Sequence, residues 1–114
     1  MRRGEVWLLN LDPTVGAELR KTRPAIIVND DAIGLLPLKV IVPVTDWKDH
    51  YAVAPWMVKL DSDSRNGLTK PSAADAFQVR SVARERFVQR IGKISDHHLR
   101  QIADALAIVL KIRG

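Results

Sequence analysis

Short apolar runs rich in valine, isoleucine and leucine alternate with turn-forming residues over most of the chain. Runs of this kind, bounded by proline, glycine, asparagine and aspartate, are typical of β-strands. They predict about six strands, at residues 5–11, 25–30, 38–45, 56–60, 74–82 and 87–94. Pro43 lies inside the third run and indicates an edge strand or a bulge there, because proline has no amide hydrogen to donate.

The last segment of the chain has the periodicity of a helix instead. Apolar residues recur at helical spacing and predict one packed face, made of Leu99, Ile102, Ala103, Leu106, Val109 and Leu110. Ser95 suits the N-cap, Asp96 the first turn, and Lys111 and Arg113 the last turn. Because the strands follow one another along the chain, the pattern predicts an α+β fold, in which a bent antiparallel sheet or small barrel carries a C-terminal helix.

Length and composition narrow the class of protein. A chain of 114 residues with 46% apolar residues predicts one globular domain over residues 1–114. It has no cysteine, so disulfide and thiolate chemistry are excluded and a reducing, cytoplasmic location is expected. Polar residues interrupt the apolar stretch near the start, and no stretch is long enough to cross a bilayer. Neither a signal peptide nor a membrane partner is therefore expected.

The residues that usually hold a metal or a catalytic nucleophile are not arranged for those tasks. His97 and His98 are adjacent on the predicted helix and point about 100° apart, so they do not share an ion. The sequence has neither a Gly-x-Ser-x-Gly nucleophile elbow nor a glycine-rich phosphate loop. It therefore predicts no metal and no cofactor.

Charge points to a polyanionic partner without choosing one. The chain has 18 Lys and Arg against 13 Asp and Glu, a net charge of +5. Cations cluster in two stretches, one with Arg20, Lys21 and Arg23, the other with Arg80, Arg84, Arg86, Arg90 and Lys93. These stretches either flank a nucleic-acid groove or keep the surface soluble, and charge alone favours neither reading.

Aromatic residues add a second indication of nucleic-acid binding. The segment 46–56 contains Trp47, His50, Tyr51 and Trp56, and single-stranded bases stack on such rings. The alternative is that Trp47 and Tyr51 pack the domain or an interface, and for Trp56 this alternative is favoured.

Arg23 lies where a loop meets a strand, immediately before Pro24. A residue before proline is restricted to extended geometry, so the Arg23 guanidinium is held on a stiff backbone. Thr45 ends the run VIVPVT, where a hydroxyl either caps a turn or binds a phosphate oxygen beside Arg23. Sequence spacing alone does not bring these two residues together.

Several motifs in order resemble the MazF/PemK/Kid-type toxins of toxin–antitoxin systems. They are RGEVW (residues 3–7), LDPTVGAE (11–18), TRP (22–24), VIVPVT (40–45), QVRSVARERF (78–87) and IGKIS (91–95). The resemblance covers essentially the whole chain, and the shared order of the motifs makes it specific.

This resemblance implies an SH3-like barrel with a C-terminal helix, usually a homodimer, that cuts single-stranded mRNA at specific sequences without metal. The implied products carry a 2′,3′-cyclic phosphate or 3′-phosphate and a 5′-hydroxyl. A MazE-like antitoxin with an acidic tail is the implied protein partner, and DNA is contacted only through that antitoxin. The family's catalytic residues map onto Arg23 and Thr45. The predicted RNA-binding residues are Thr14, Glu18, Arg20, Lys21, Trp47, His50, Tyr51, Asp75, Gln78 and Arg80.

The sequence departs from the family pattern at two positions. Phe77 stands where an acidic residue is frequent. Asp75 would share its face on a strand, so either Asp75 substitutes for the acidic residue or this chain does not need one. Asp46 stands where serine is frequent, next to the predicted phosphate site. Two alternatives stay open: a toxin of the same architecture that poisons DNA gyrase, as CcdB-type toxins do, and a non-catalytic SH3-like module that binds nucleic acid.

Overall fold

The computed structural model describes residues 1–11, 22–33 and 36–112. The strands are β1 (Glu5–Asn10), β2 (Thr22–Ile27), β3 (Leu38–Asp46), β4 (Met57–Leu60), β5 (Ser72–Asp75), β6 (Arg80–Ala83) and β7 (Phe87–Lys93). One helix, α1 (Asp96–Leu110), follows them. Single 3₁₀ turns lie at Asp31–Ile33, Asp49–Val53, Ala76–Gln78 and Arg84–Arg86.

All described strands pair antiparallel in one bent sheet. The order is β4-β5-β3-β2-β1-β7, and β6 pairs with the first half of β3 while β5 pairs with its second half. The predicted α+β class, antiparallel pairing and C-terminal helix are confirmed. The sheet bends rather than closing into a barrel, because within the described residues its end strands β4 and β7 pair with other strands and not with each other.

The prediction that Pro43 marks an edge or a bulge is wrong. Strand β3 is central, and its register with β2 runs without a shift through the pair Ala25–Pro43. Val28 N donates to Val40 O at 2.9 Å, so by alternation the nitrogen of Pro43 points away from β2. On that side β6 pairing ends at Ile41 and β5 pairing begins at Val44. Proline is tolerated because it falls in the gap between two partner strands.

The prediction of one strand over residues 74–82 is also wrong. A 3₁₀ turn at Ala76–Gln78 divides it into β5 and β6. The carboxylate of Asp75 caps this turn by accepting a hydrogen bond from Phe77 N at 3.1 Å. Asp75 is buried and Phe77 is exposed, so the two side chains do not share the face of a strand as expected. The number of strands is therefore seven among the described residues, not six.

Two apolar cores lie on opposite faces of the sheet. Ile26 and Val42 pair across β2 and β3 and belong to the larger core, where Ile102 and Ala105 of α1 cover the sheet. The next pair, Ile27 and Ile41, belongs to the smaller core on the other face. Alternation along the strands thus gives each face its own packed layer.

Helix α1 begins as its sequence predicts, and Leu99, Ile102, Leu106 and Val109 of the predicted face pack in the larger core. Leu110 of that face is exposed, and Ala105, which was not predicted, is buried. Ser95 Oγ accepts a hydrogen bond from His98 N at 3.1 Å, which confirms the N-cap. The prediction of a basic last turn is wrong: the helix ends at Leu110, and Lys111 follows it in the left-handed conformation, with φ of 55°. Arg113 lies outside the described residues. In the part of the chain that the structure covers, no helix is both long and apolar enough to cross a membrane.

Glu5, the first residue of β1, has a largely buried carboxylate that contacts two neighbouring side chains. Trp7 Nε1 donates to its Oε1 at 2.9 Å, and Arg90 Nε lies 3.4 Å from its Oε2. Burial raises the pKa of Glu5, but the hydrogen bonds from Trp7 and Arg2 and the charges of the amino terminus and Arg90 outweigh it. The net pKa lies below its ordinary value of 4.5.

This lowered pKa makes a prediction for stability. A carboxylate whose folded pKa is lowered stabilises the fold above its unfolded pKa, and that contribution is lost as the pH falls through the folded value. We expect Glu5→Gln to lower the free energy of unfolding by about 1 kcal/mol at pH 7. The difference from wild type should shrink below pH 4.5 and vanish once Glu5 is protonated in the folded state. Urea unfolding at a series of pH values measures it, with the exposed Glu85→Gln as control. A difference that persisted in acid would assign Glu5 to packing rather than charge.

Candidate active site

Arg23 of β2 and Thr45 of β3 line the same two clefts. The pairs between β2 and β3 run from Ile27–Ile41 to Ala25–Pro43, and two further residues along each strand are Arg23 and Thr45. Both residues have the parity of Ala25 and Ile41, so they lie on the face of the smaller core, where its apolar layer gives way to polar side chains. The fold supplies the juxtaposition that sequence spacing did not.

Arg23 and Thr45 lie between two open clefts and line both of them. The first cleft, of about 430 Å³, is bounded by β1, β2, β3, β7 and the segment 67–72. The second, of about 340 Å³, is bounded by β2, β3, the Asp49–Val53 turn and the start of β6. An extended polymer crossing the end of the sheet would pass Arg23 and Thr45 at the ridge between these clefts.

The Arg23 guanidinium is available for a ligand. Its side chain is exposed, and within residues 1–11, 22–33 and 36–112 no hydrogen bond or ion pair occupies it. Its backbone is paired with Leu9 of β1, and Pro24 follows it in the strand. A planar, always charged donor on a stiff backbone suits recognition of a phosphate.

Asp75, Gln78 and Arg80 meet in the second cleft, beside Arg23 and Thr45. Gln78 Nε2 donates to Asp75 Oδ2 at 2.9 Å, so both oxygens of the Asp75 carboxylate hold the turn between β5 and β6. Arg80 is exposed and pairs with Ile41 across β3 and β6. The arrangement presents one anchored amide and one cation to whatever fills this cleft.

The aromatic segment folds as a cluster of rings in edge-to-face contact, with one member in the second cleft. Tyr51 lines the second cleft; its ring centroid lies 4.7 Å from that of His50 and 5.9 Å from that of Trp47. Trp47 is half-buried, and Lys59 Nζ lies 5.3 Å from its ring centroid. Tyr51 is thus placed to meet a ligand, whereas His50 and Trp47 buttress it from two sides.

Four predicted RNA-binding residues, Thr14, Glu18, Arg20 and Lys21, lie outside the described residues. The roles of the other predicted site residues in RNA binding stay predictions. Among the described side chains, no group of three or more His, Asp or Glu is arranged to hold a metal ion.

The sequence reasoning missed the wall of the first cleft. Gly67, Leu68, Thr69, Lys70 and Ser72 line it, but their segment has only the Asn-Gly signature of a turn. A turn signature predicts a change of direction and not which surface the turn packs against. Lys70 is the one cation of this wall, and its side chain contacts Asp46 at 3.1 Å.

Two solved structures share the fold of this chain. The match to an endoribonuclease from a mycobacterial species, solved in complex with its cognate antitoxin, has a TM-score of 0.77 and 21% identity and covers 100% of this chain and 98% of that one. The match to a MazE–MazF complex from Deinococcus radiodurans has a TM-score of 0.79 and 23% identity and covers 99% and 98%.

The sequence places the chain in the same class. The family model of PemK-like, MazF-like toxins of type II toxin–antitoxin systems matches residues 2–110, and the chain belongs to this family. It is 36% identical to the endoribonuclease MazF9 of Mycobacterium tuberculosis, over 98% of each chain. It is 31% identical to the endoribonuclease PemK of Escherichia coli, over 96% of this chain and 82% of that protein.

Proposed function

We propose that this toxin is a sequence-specific endoribonuclease that cleaves single-stranded mRNA without a metal ion. The observation that carries the proposal is the position of Arg23 and Thr45, which both line the two neighbouring clefts. Its curated relatives are endoribonucleases, which supports the same reaction class here.

The proposed reaction is an internal transesterification. The ribose 2′-oxygen attacks the adjacent phosphorus and gives up its proton to solvent, while the bond from phosphorus to the 5′-oxygen breaks. The products are a 2′,3′-cyclic phosphate and a 5′-hydroxyl, whose oxygen takes up a proton. Negative charge grows on the non-bridging oxygens, where the two-pronged Arg23 guanidinium stabilises it. Arg23 is no general base, because a guanidinium in a protein keeps its proton and offers only hydrogen-bond donors.

Thr45 and Asp75 take supporting roles in this reaction. The Thr45 hydroxyl donates a further hydrogen bond to the same phosphate. Asp75 is not assigned as a base, because both of its oxygens already hold the turn that presents Gln78. Its role is to orient Gln78, and Phe77, which is exposed outside both clefts, needs no acidic side chain for this task.

Sequence choice is assigned to the residues that meet the bases, since the phosphodiester is the same in every dinucleotide. Tyr51 offers a ring for stacking, while Gln78 and Arg80 offer hydrogen bonds to exposed base edges. Trp47 and His50 act through Tyr51, and Thr14, Glu18, Arg20 and Lys21 are proposed as the facing wall. The proposal includes a cytoplasmic homodimer of single-domain chains and an antitoxin whose acidic tail competes with RNA for these cations.

A long single-stranded transcript in EDTA tests the proposal. We expect discrete fragments that appear equally with EDTA and with Mg²⁺, from protein freed of other nucleases. Cleavage abolished by EDTA and restored by Mg²⁺ would contradict metal independence. An intact transcript together with inhibition of DNA gyrase would favour the gyrase-poison alternative, and RNA binding without cleavage would favour the non-catalytic module.

A further inference from the structure

The first cleft holds a cation that the proposed chemistry does not use. We propose that Lys70 binds a backbone phosphate of the RNA next to the scissile one, and that Asp46 holds Lys70 in position until RNA arrives. The inference rests on the proposed function and adds a phosphate site to the side of the ridge opposite Tyr51, Gln78 and Arg80.

The segment that carries Lys70 is built as a rigid wall. Asn66 is fully buried; its Oδ1 accepts from Leu68 N at 2.9 Å, and its Nδ2 donates to Asp61 O at 2.8 Å. The backbone of the segment also docks on β7, where Lys93 N donates to Arg65 O at 2.9 Å. Residues that follow such an anchor are presented to the cleft in a fixed place rather than on a loose loop.

Lys70 and Asp46 form an ion pair at the mouth of this cleft. Lys70 Nζ lies 3.1 Å from Asp46 Oδ1, and each side chain is 61% exposed. Asp46 directly follows Thr45 at the end of β3, and it lines the same cleft. The pair therefore sets a cation in the cleft that Arg23 and Thr45 also line.

The strength of the ion pair between Lys70 and Asp46 decides whether RNA can displace Asp46. An exposed ion pair contributes little to stability, because water screens both charges and the two side chains lose freedom when they are held together. A phosphate offers Lys70 the same charge-assisted hydrogen bond, and its binding also releases counterions from the RNA. RNA therefore displaces Asp46 from Lys70 at little cost, whereas in the free protein Asp46 keeps the cation oriented and repels stray anions.

The two partners are expected to affect RNA binding in opposite directions. The probe is a single-stranded RNA oligonucleotide with 2′-O-methyl groups throughout, which binds but cannot be cleaved, measured by fluorescence anisotropy at several salt concentrations. Lys70→Ala should weaken binding on the order of 5-fold and lower the salt slope by about 0.7, the value for one lost contact on a single strand. Asp46→Asn, which removes the charge and keeps the shape, should tighten binding by a few-fold.

Two controls separate a phosphate contact from other causes. Lys93→Ala removes an exposed lysine that lines neither cleft, and it should change binding less than Lys70→Ala does. Lys70→Ala alone leaves the Asp46 carboxylate without its cation, and that charge could itself repel RNA. Asp46→Asn removes the charge, so Lys70→Ala must still weaken RNA binding in the Asp46→Asn background. Melting temperatures of all variants should match wild type.

Three results would overturn the inference. The first is a Lys70→Ala variant that binds like Lys93→Ala. The second is a loss of affinity in both Lys70→Ala and Asp46→Asn, which would make the pair a structural tie. The third is a wild-type protein that does not bind the probe. The proposed function fails separately, when the wild type binds RNA and never cuts an unmodified transcript.

Discussion

Replacing Arg23 with lysine is expected to slow RNA cleavage by about 100- to 1,000-fold, the range for loss of one oxyanion donor. Lysine keeps the positive charge but replaces the planar fork with a single flexible ammonium, which cannot offer two parallel hydrogen bonds to a phosphate. RNA binding should weaken much less, because the charge that attracts the backbone is retained. Single-turnover cleavage of a short RNA at saturating protein separates the chemical step from binding.

The control for this experiment is Arg100→Lys. Arg100 is exposed on α1 and lines neither cleft, so its replacement should leave the rate unchanged. Substitutions of Thr45 give a graded comparison at the same site. Thr45→Ala should lower the cleavage rate less than Arg23→Lys does, and Thr45→Ser should lower it only slightly. Near-normal turnover in Arg23→Lys would remove Arg23 from the mechanism.

Adding one methyl group at Gly92 is expected to destabilise the whole domain. A Cβ at this position of β7 would lie 2.3 Å from Arg65 O and 2.4 Å from Asn66 C, which are backbone atoms of the segment that walls the first cleft. Rigid backbone cannot yield without breaking the anchor of Asn66. We therefore expect Gly92→Ala to lower the free energy of unfolding by about 3 kcal/mol. The melting temperature should fall by about 10–20 °C.

Gly4→Ala is the comparison for the Gly92 variant. Gly4 has φ of +90°, but a Cβ there would meet only side chains, the nearest at 3.5 Å. Its cost is backbone strain alone, on the order of 1–2 kcal/mol. Thermal unfolding of both variants should rank Gly92→Ala as the less stable. Equal stability of Gly92→Ala and wild type would show that the wall segment moves freely, and it would weaken the case for a preformed cleft.

The features that the sequence predicted are those with a local signal. The cap at Ser95 and the periodicity of α1 depend on residues three or four apart, and alternating apolar runs mark the strands wherever a strand is continuous. The antiparallel α+β arrangement follows from strands that succeed one another in the chain. The structure agrees with each of these.

The features that escaped the sequence depend on partners distant in the chain. Pro43 alone indicates an edge strand, whereas in the structure it lies where the partner of β3 changes from β6 to β5. Asp75 reads as a strand residue until its carboxylate is seen to cap a turn. Register, which no local pattern determines, brings Arg23 and Thr45 to the same two clefts, and the packing of residues 61–70 on β7 brings Lys70 to the first cleft.

The central claim is that the 2′-hydroxyl of the RNA is the nucleophile and that the protein needs no metal to use it. The most direct measurement takes a short RNA with one mapped cut site and its twin with a single 2′-deoxyribose on the 5′ side of that site, both incubated in EDTA. Mass spectrometry should find a 2′,3′-cyclic phosphate and a 5′-hydroxyl on the fragments of the first RNA, whereas the twin should stay intact. Cleavage of the deoxy-substituted twin at the same bond would contradict the claim.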